Sequence, residues 1–281
     1  MAGETVYILL PAHNRVEITC GIARCIARQT YRDFKLVLID DGSTDGTAER
    51  VSAIVPGTIV LRGDGNQWWA GSLQMGQEWI RDESGARPDD IVLLINDDTV
   101  FPDDFLAHAV AALQGRRRTL MQACQYSLQT GQYLESGVHV DWRRFTFAVA
   151  SSAEEVNCMS TRGLFMRVSD MREIGGFHPR LLPHYGSDYE YTMRAHRRGF
   201  ALVSCPEVRL WDNEATTGIR STEGESAWTL LRRIFLKRNQ QSPYYWSMFV
   251  LLACPPRYWL QNLARVWIGF ARQLARAVRT G

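Results

Sequence analysis

Phe34-Lys35-Leu36-Val37-Leu38-Ile39-Asp40-Asp41-Gly42-Ser43-Thr44-Asp45-Gly46-Thr47 decides the fold. An apolar run of strand length ends in two carboxylates, a glycine turn and a helix start. Short apolar runs closed by turn residues are what a strand buried on both faces requires. The arrangement returns at Ile91-Val92-Leu93-Leu94-Ile95, which runs into Asn96-Asp97-Asp98. A third acidic group, Asp188-Tyr189-Glu190, follows Gly186-Ser187. In an open α/β sheet the carboxyl ends of the strands face the ligand crevice. Hard carboxylate oxygens there suit Mg2+ or Mn2+, and such an ion suits a diphosphate.

Outward from these runs the chain alternates. Strand patterns cover residues 5–10, 35–39, 57–61 and 91–95, and helical patterns cover 16–29, 45–54, 71–80 and 102–113. That order predicts a mostly parallel, Rossmann-like sheet with helices on both faces. Past Arg116 the pattern loosens. Residues 132–150 predict antiparallel strands, 164–168 a strand, 169–174 and 188–198 helices, and 203–211 a strand or loop. The tail predicts two or three amphipathic helices, broken at Pro243 and at Pro255-Pro256. The expected organisation is one α/β domain over 1–225, with a nucleotide-binding half (1–115) and an acceptor or catalytic half (116–225). A basic, aromatic helical extension follows over 226–281.

A chain of 281 residues can bury a large core, and 46% apolar with 22% charged residues is a soluble, globular balance. Six cysteines without metal-ligand spacing predict reduced, structural thiols and a cytoplasmic protein. A strand-like run from Thr5 with no basic segment before it predicts no signal peptide, and no apolar stretch is long enough to span a bilayer. The formal charge of +2 hides an asymmetry. From Trp228 onward there are nine basic residues, seven Trp or Tyr, and no Asp or Glu; the remainder has 23 basic and 30 acidic residues, a formal −7. Basic residues mixed with interfacial aromatics predict peripheral contact with an anionic membrane surface, at the inner face of the cytoplasmic membrane. The competing expectation is a tail packed on the body or in a homodimer. No nucleic-acid module is visible, so no nucleic-acid partner is expected.

Four segments together resemble a known family. Pro11-Ala12-His13-Asn14-Arg15, Asp40-Asp41-Gly42-Ser43-Thr44-Asp45-Gly46-Thr47, Asn96-Asp97-Asp98 and Gly186-Ser187-Asp188-Tyr189-Glu190-Tyr191 look like the ordered motifs of family 2 glycosyltransferases of the GT-A fold. Ile174-Gly175-Gly176-Phe177-His178-Pro179-Arg180 resembles the family's stretch before the catalytic loop. The resemblance covers about residues 5–240. Within the family, Trp68-Trp69 and Arg238-Asn239 look most like bacterial rhamnosyltransferases and related builders of surface polysaccharide.

The resemblance implies an inverting, metal-dependent transferase. Its donor would be a UDP- or dTDP-sugar, and its acceptor a glycan or polyprenyl-linked glycan. Pro11, His13, Asn14 and Arg15 would form the wall for the base, and Asp41 would accept from a pyrimidine N–H. Asp98, and less directly Asp97, would hold Mg2+ or Mn2+, and Asp97 would also bind the nucleotide-sugar. Asn96 departs from the family's Asp. Asp188 would be the catalytic base, with Glu190, His184 and Trp69 on the acceptor side. Where many relatives carry a histidine, this chain has Asp212, which would bind the metal or cap a loop. The residues alone leave plainer readings open. Asp45 suits a helix cap, Asp40 a turn, and Asp188 and Glu190 ion pairs at a helix N-terminus. A non-catalytic nucleotide-sugar or glycan-binding module on the same fold is the alternative function.

Overall fold

The structure is a computed structural model and describes residues 3–216, 227–237 and 239–280. Its first half runs β1 (Val6–Ala12), α1 (Val16–Ala27), β2 (Phe34–Asp40), α2 (Thr47–Ile54), β3 (Ile59–Arg62), α3 (Trp68–Asp82), β4 (Ile91–Leu94), β5 (Thr99–Val100) and α4 (Phe105–Leu113). β3, β2, β1 and β4 lie side by side and parallel. Alternate β1 residues serve opposite faces. Val6, Ile8 and Leu10 join the core under α1, α2 and α4, while Tyr7 and Leu9 join the core under α3. Gly76 is required on α3 because a Cβ there would meet Leu9 Cδ1 at 2.9 Å.

The second half adds β6 (Thr119–Ser127), β7 (Tyr133–Glu135), a hairpin of β8 (Val138–Asp141) and β9 (Thr146–Val149), β10 (Leu164–Arg167), α5 (Val168–Ile174), α6 (Ser187–Arg197) and β11 (Ala201–Asp212). The main sheet has the order β3-β2-β1-β4-β10-β6-β11-β5, with β7 on β6. β10 enters antiparallel between β4 and β6, so the antiparallel part is central as well as peripheral. β6 was not expected from the sequence. Its Gln122 and Gln125 break the apolar pattern, yet both are buried and donate to Ser160 Oγ. β11, expected as strand or loop, is a strand with an irregularity between Cys205 and Arg209 around Pro206.

The tail forms α7 (Ala227–Arg232), α8 (Pro243–Ala253) and α9 (Trp259–Thr280). Pro243 opens α8 behind the Ser242 cap, whose Oγ accepts the Tyr245 N–H. Phe249 and Ala253 of α8 are buried with Leu182, Met193 and the β8–β9 hairpin. Arg197 reaches the carbonyls of Leu252 and Ala253, and Asn262 of α9 donates to the Trp142 carbonyl at 2.9 Å. The tail therefore packs on the body as part of it. The expected boundary at 225/226, the Thr217-Gly218 loop and Arg238 lie outside the described residues. Among the described residues no helix is long and apolar enough to cross a membrane. All six cysteines are free, and five are buried.

Candidate active site

The turn after β1 and the turn after β2 are stitched together. The Asn14 backbone N–H donates to Ser43 Oγ, and Asn14 Oδ1 accepts the Thr44 N–H. Asn14 sits at φ +50°, a left-handed conformation that asparagine tolerates. His13 Nδ1 contacts the Asp41 carbonyl, so that nitrogen carries the proton. Asp45 accepts the Val16 N–H at 2.9 Å and the Thr47 N–H at 3.2 Å, joining the starts of α1 and α2. The cap position of α2 itself is Gly46, which corrects the expectation for Asp45. Asp40 accepts the Ser43 N–H and pairs with Arg62, the structural role expected of it. Pro11 is buried within β1, paired with Ile39, and so supports the wall from beneath.

Asp41 is tied into the scaffold. Its carboxylate accepts three backbone N–H groups, from Gly65 (2.8 Å), Gln67 (2.9 Å) and Trp68 (3.1 Å). It thereby caps the N-terminus of α3, where a negative group is favoured. Gly63 is needed beside it, since a Cβ would come within 2.5 Å of Asp41 Oδ1. The carboxylate expected to read a base thus also organises the loop over 63–68.

At the end of β4 the acids meet Arg15, whose guanidinium lies 2.9 Å from Asp97 and 3.4 Å from Asp98. Burial pushes the Asp97 carboxyl up to about 6; Arg15 opposes the shift and Asp98 adds to it. Asp212 arrives from β11, which pairs Asp212 with Thr99, and the Asn213 N–H donates to the Asp98 carbonyl. Burial raises the Asp212 carboxyl to about 6 as well, against Arg162 and with Asp98. Asp212 Oδ1 and Asn96 Oδ1 are buried oxygens with no hydrogen-bond partner. Among the described residues no group of three or more His, Cys, Asp or Glu gathers as a metal cage. Asp98 and Asp212 are brought together as neighbouring carboxylates through the pairing of β5 with β11.

Asp188 lies in the first turn of α6 and is half-buried. Burial raises its carboxyl to about 6; the Tyr189 N–H and Arg162 oppose the shift, and Glu135 adds to it. Glu190, expected to contact the acceptor or support Asp188, is ion-paired within the scaffold. Both its oxygens pair with Arg194, at 2.9 and 3.0 Å, and Arg194 also donates to the carbonyls of Ile174 and Gly176. Trp69, expected as an acceptor contact or support, donates its indole N–H to Thr161 Oγ1 and packs its ring against the α3-side core. Its neighbour Trp68 is the residue that meets His184, ring edge to face at 5.8 Å. His184 borders a pocket shared with Tyr185, Lys237, Tyr245, Trp246 and Phe249.

The family model described as "Glycosyltransferase like family 2" matches residues 3–235. The chain belongs to this glycosyltransferase family. It is 24% identical over 274 residues to glycosyltransferase AglE of Haloferax volcanii, covering 92% of this chain and 85% of that one. Its structure resembles mannosyltransferase PcManGT from Pyrobaculum calidifontis in complex with GDP-Man and Mn2+. The TM-score is 0.60 at 16% identity, over 100% of this chain and 74% of that chain. It also resembles S. aureus TarS in complex with UDP, with a TM-score of 0.58 at 13% identity, over 94% and 70% of the two chains. The mixed α/β sheet is thus the GT-A fold.

In this glycosyltransferase two cations near these acids and loops were not anticipated from the sequence. Arg162 pairs with Asp212 at 3.4 Å. Burial works against its charge, but Asp212, Asp98, Glu135 and Asp188 together hold its pKa up. It is the cation common to the Asp98 and Asp212 carboxylates and the Asp188 carboxyl. Nothing around Ser160-Thr161-Arg162-Gly163 signals this in one dimension. Lys237 is the other group, and its ammonium binds the Asn66 carbonyl and Oδ1, tying the tail to the loop that Asp41 organises.

Proposed function

We propose that this glycosyltransferase is a metal-dependent, inverting enzyme. It moves a hexosyl or deoxyhexosyl group from a UDP- or dTDP-sugar to a glycan or lipid-linked glycan in bacterial surface-polysaccharide synthesis. Asp98 and Asp212 would hold Mg2+ or Mn2+. When bound, the cation offsets charge developing on the departing diphosphate. Arg15, 3.4 Å from Asp98, adds a second positive group on the same side. Asp188 takes the proton from the acceptor hydroxyl as its oxygen bonds to the anomeric carbon and the carbon–diphosphate bond breaks. The observation that carries the reading is Asp212 Oδ1, a buried carboxylate oxygen without a partner on the strand neighbouring Asp98.

The proposed work site is the inner membrane face, with the acceptor presented from lipid. A panel of UDP-, dTDP- and GDP-sugars, assayed for nucleotide release with and without EDTA, tests the function. EDTA-sensitive release from a UDP- or dTDP-sugar is expected. Tight binding across the panel with no turnover would favour the non-catalytic module.

A further inference from the structure

We propose that the outward face of α9 is a docking surface for an anionic lipid bilayer. At 3.6 residues per turn the helix carries three rows. Asn262, Val266, Phe270 and Leu274 form the row turned to the body. Leu260, Ala264, Trp267, Ile268, Ala271, Ala275 and Val278 fall within an arc of about 100° on another side. Their large members stay exposed: Leu260 86%, Val278 70%, Ile268 51% and Trp267 47%. Arg265, Arg272, Arg276 and Arg279 follow along one flank of that arc, all exposed. A helix packed on a soluble body needs one apolar stripe, and α9 has two. The exposed Trp228, Leu231, Phe235 and Leu236 extend the apolar surface just ahead of α8.

Charge selects the occupant. The chain from Trp228 onward has no carboxylate side chain, so two copies meeting through this face would bring arginine rows together. An anionic headgroup layer complements the arginines, and its acyl boundary takes up the apolar row. α8, packed against α9, carries the Tyr245, Trp246 and Phe249 wall of the His184 pocket. The inference rests on the proposed transfer reaction only for its purpose; lipid binding is measurable without catalysis.

The test uses the full chain with vesicles of phosphatidylcholine alone and of equal parts phosphatidylcholine and phosphatidylglycerol. Co-sedimentation with the anionic vesicles, weakened by salt, is expected. The variant Leu260→Glu/Ile268→Glu/Val278→Glu should bind at least about tenfold more weakly while melting at an unchanged temperature, since all three side chains are exposed. Arg272→Gln/Arg276→Gln/Arg279→Gln should lose the preference for anionic vesicles. Unweakened binding by the glutamate variant, or no binding by the wild type, overturns the proposal. So does a wild-type dimer in light scattering that the glutamate variant splits. Nucleotide release with a soluble acceptor is measured in parallel. Its absence with vesicle binding intact would overturn the transfer reading and leave docking standing.

Discussion

Two polar regions of this molecule use their hydrogen-bonding capacity in opposite ways. The turns after β1 and β2 are self-satisfied. Asn14, Asp41 and Asp45 each accept or donate within the scaffold, and Asp41 alone receives three backbone N–H groups. Asp212 on β11 is not, and with Asp97 beyond β4 and Asp188 on α6 it is held against its ordinary ionisation. Asp97, Asp188 and Asp212 are all raised to about 6 by burial, and Asp212 Oδ1 lacks a partner. A satisfied network can form before any ligand arrives and gives rigidity. Buried carboxyls hold unfavourable electrostatics that a cation, a proton or a substrate relieves. Such groups concentrate where chemistry is done.

The sharpest way to break this comparison is at Asp98. Asp98→Ala should abolish transfer and weaken nucleotide binding, because the diphosphate loses its counter-charge. Excess EDTA on the wild type should reproduce the loss. Transfer that continues at the wild-type rate in EDTA would remove the metal from the account.

The next largest effect belongs to Asp188. Asp188→Asn should lower kcat by about 10²-fold or more, the scale of a lost general base, with donor affinity by calorimetry unchanged. The base must be ionised to accept a proton. In the wild type kcat/KM should therefore fall as pH drops through about 6, where burial has raised this carboxyl. The same shift gives a stability sign. A carboxyl whose pKa rises on folding binds protons more readily when folded, so stability declines as pH rises between the unfolded value and about 6. The asparagine variant should lose that decline in melts followed against pH. A variant with unchanged turnover would move the base elsewhere.

The smallest effect separates scaffold from site. Asp41→Ala leaves three amides of the 63–68 loop without their acceptor and should cost about 2 kcal/mol. Donor KM should rise several-fold as the loop loosens. A variant of wild-type stability that loses donor binding by orders of magnitude would instead make Asp41 a direct base contact.

The β1–β4 half was legible because its strands are short apolar runs ended by turn residues, and that signal is local. β6 was hidden because Gln122 and Gln125 read as surface residues until Ser160, in a distant loop, accepts from both amides. Glu190 looked as available as Asp188 two positions earlier. On the helix Glu190 turns inward to a bidentate Arg194, while Asp188 remains half-buried beside the pocket loop.

By itself, then, the sequence determined the family, the order of strands and helices in the first half, and the acids at strand ends. Those follow from hydrophobic periodicity and turn chemistry within a few residues. Only the tertiary structure decided which acids are already satisfied. Asp41 is answered by amides of residues 65, 67 and 68, and Asp212 meets Asp98 through the β5–β11 pairing. Arg162 becomes the shared cation of acids drawn from four separate elements. Burial and partnership depend on through-space distance, which chain order does not carry, and they set whether a carboxylate builds the molecule or acts in it.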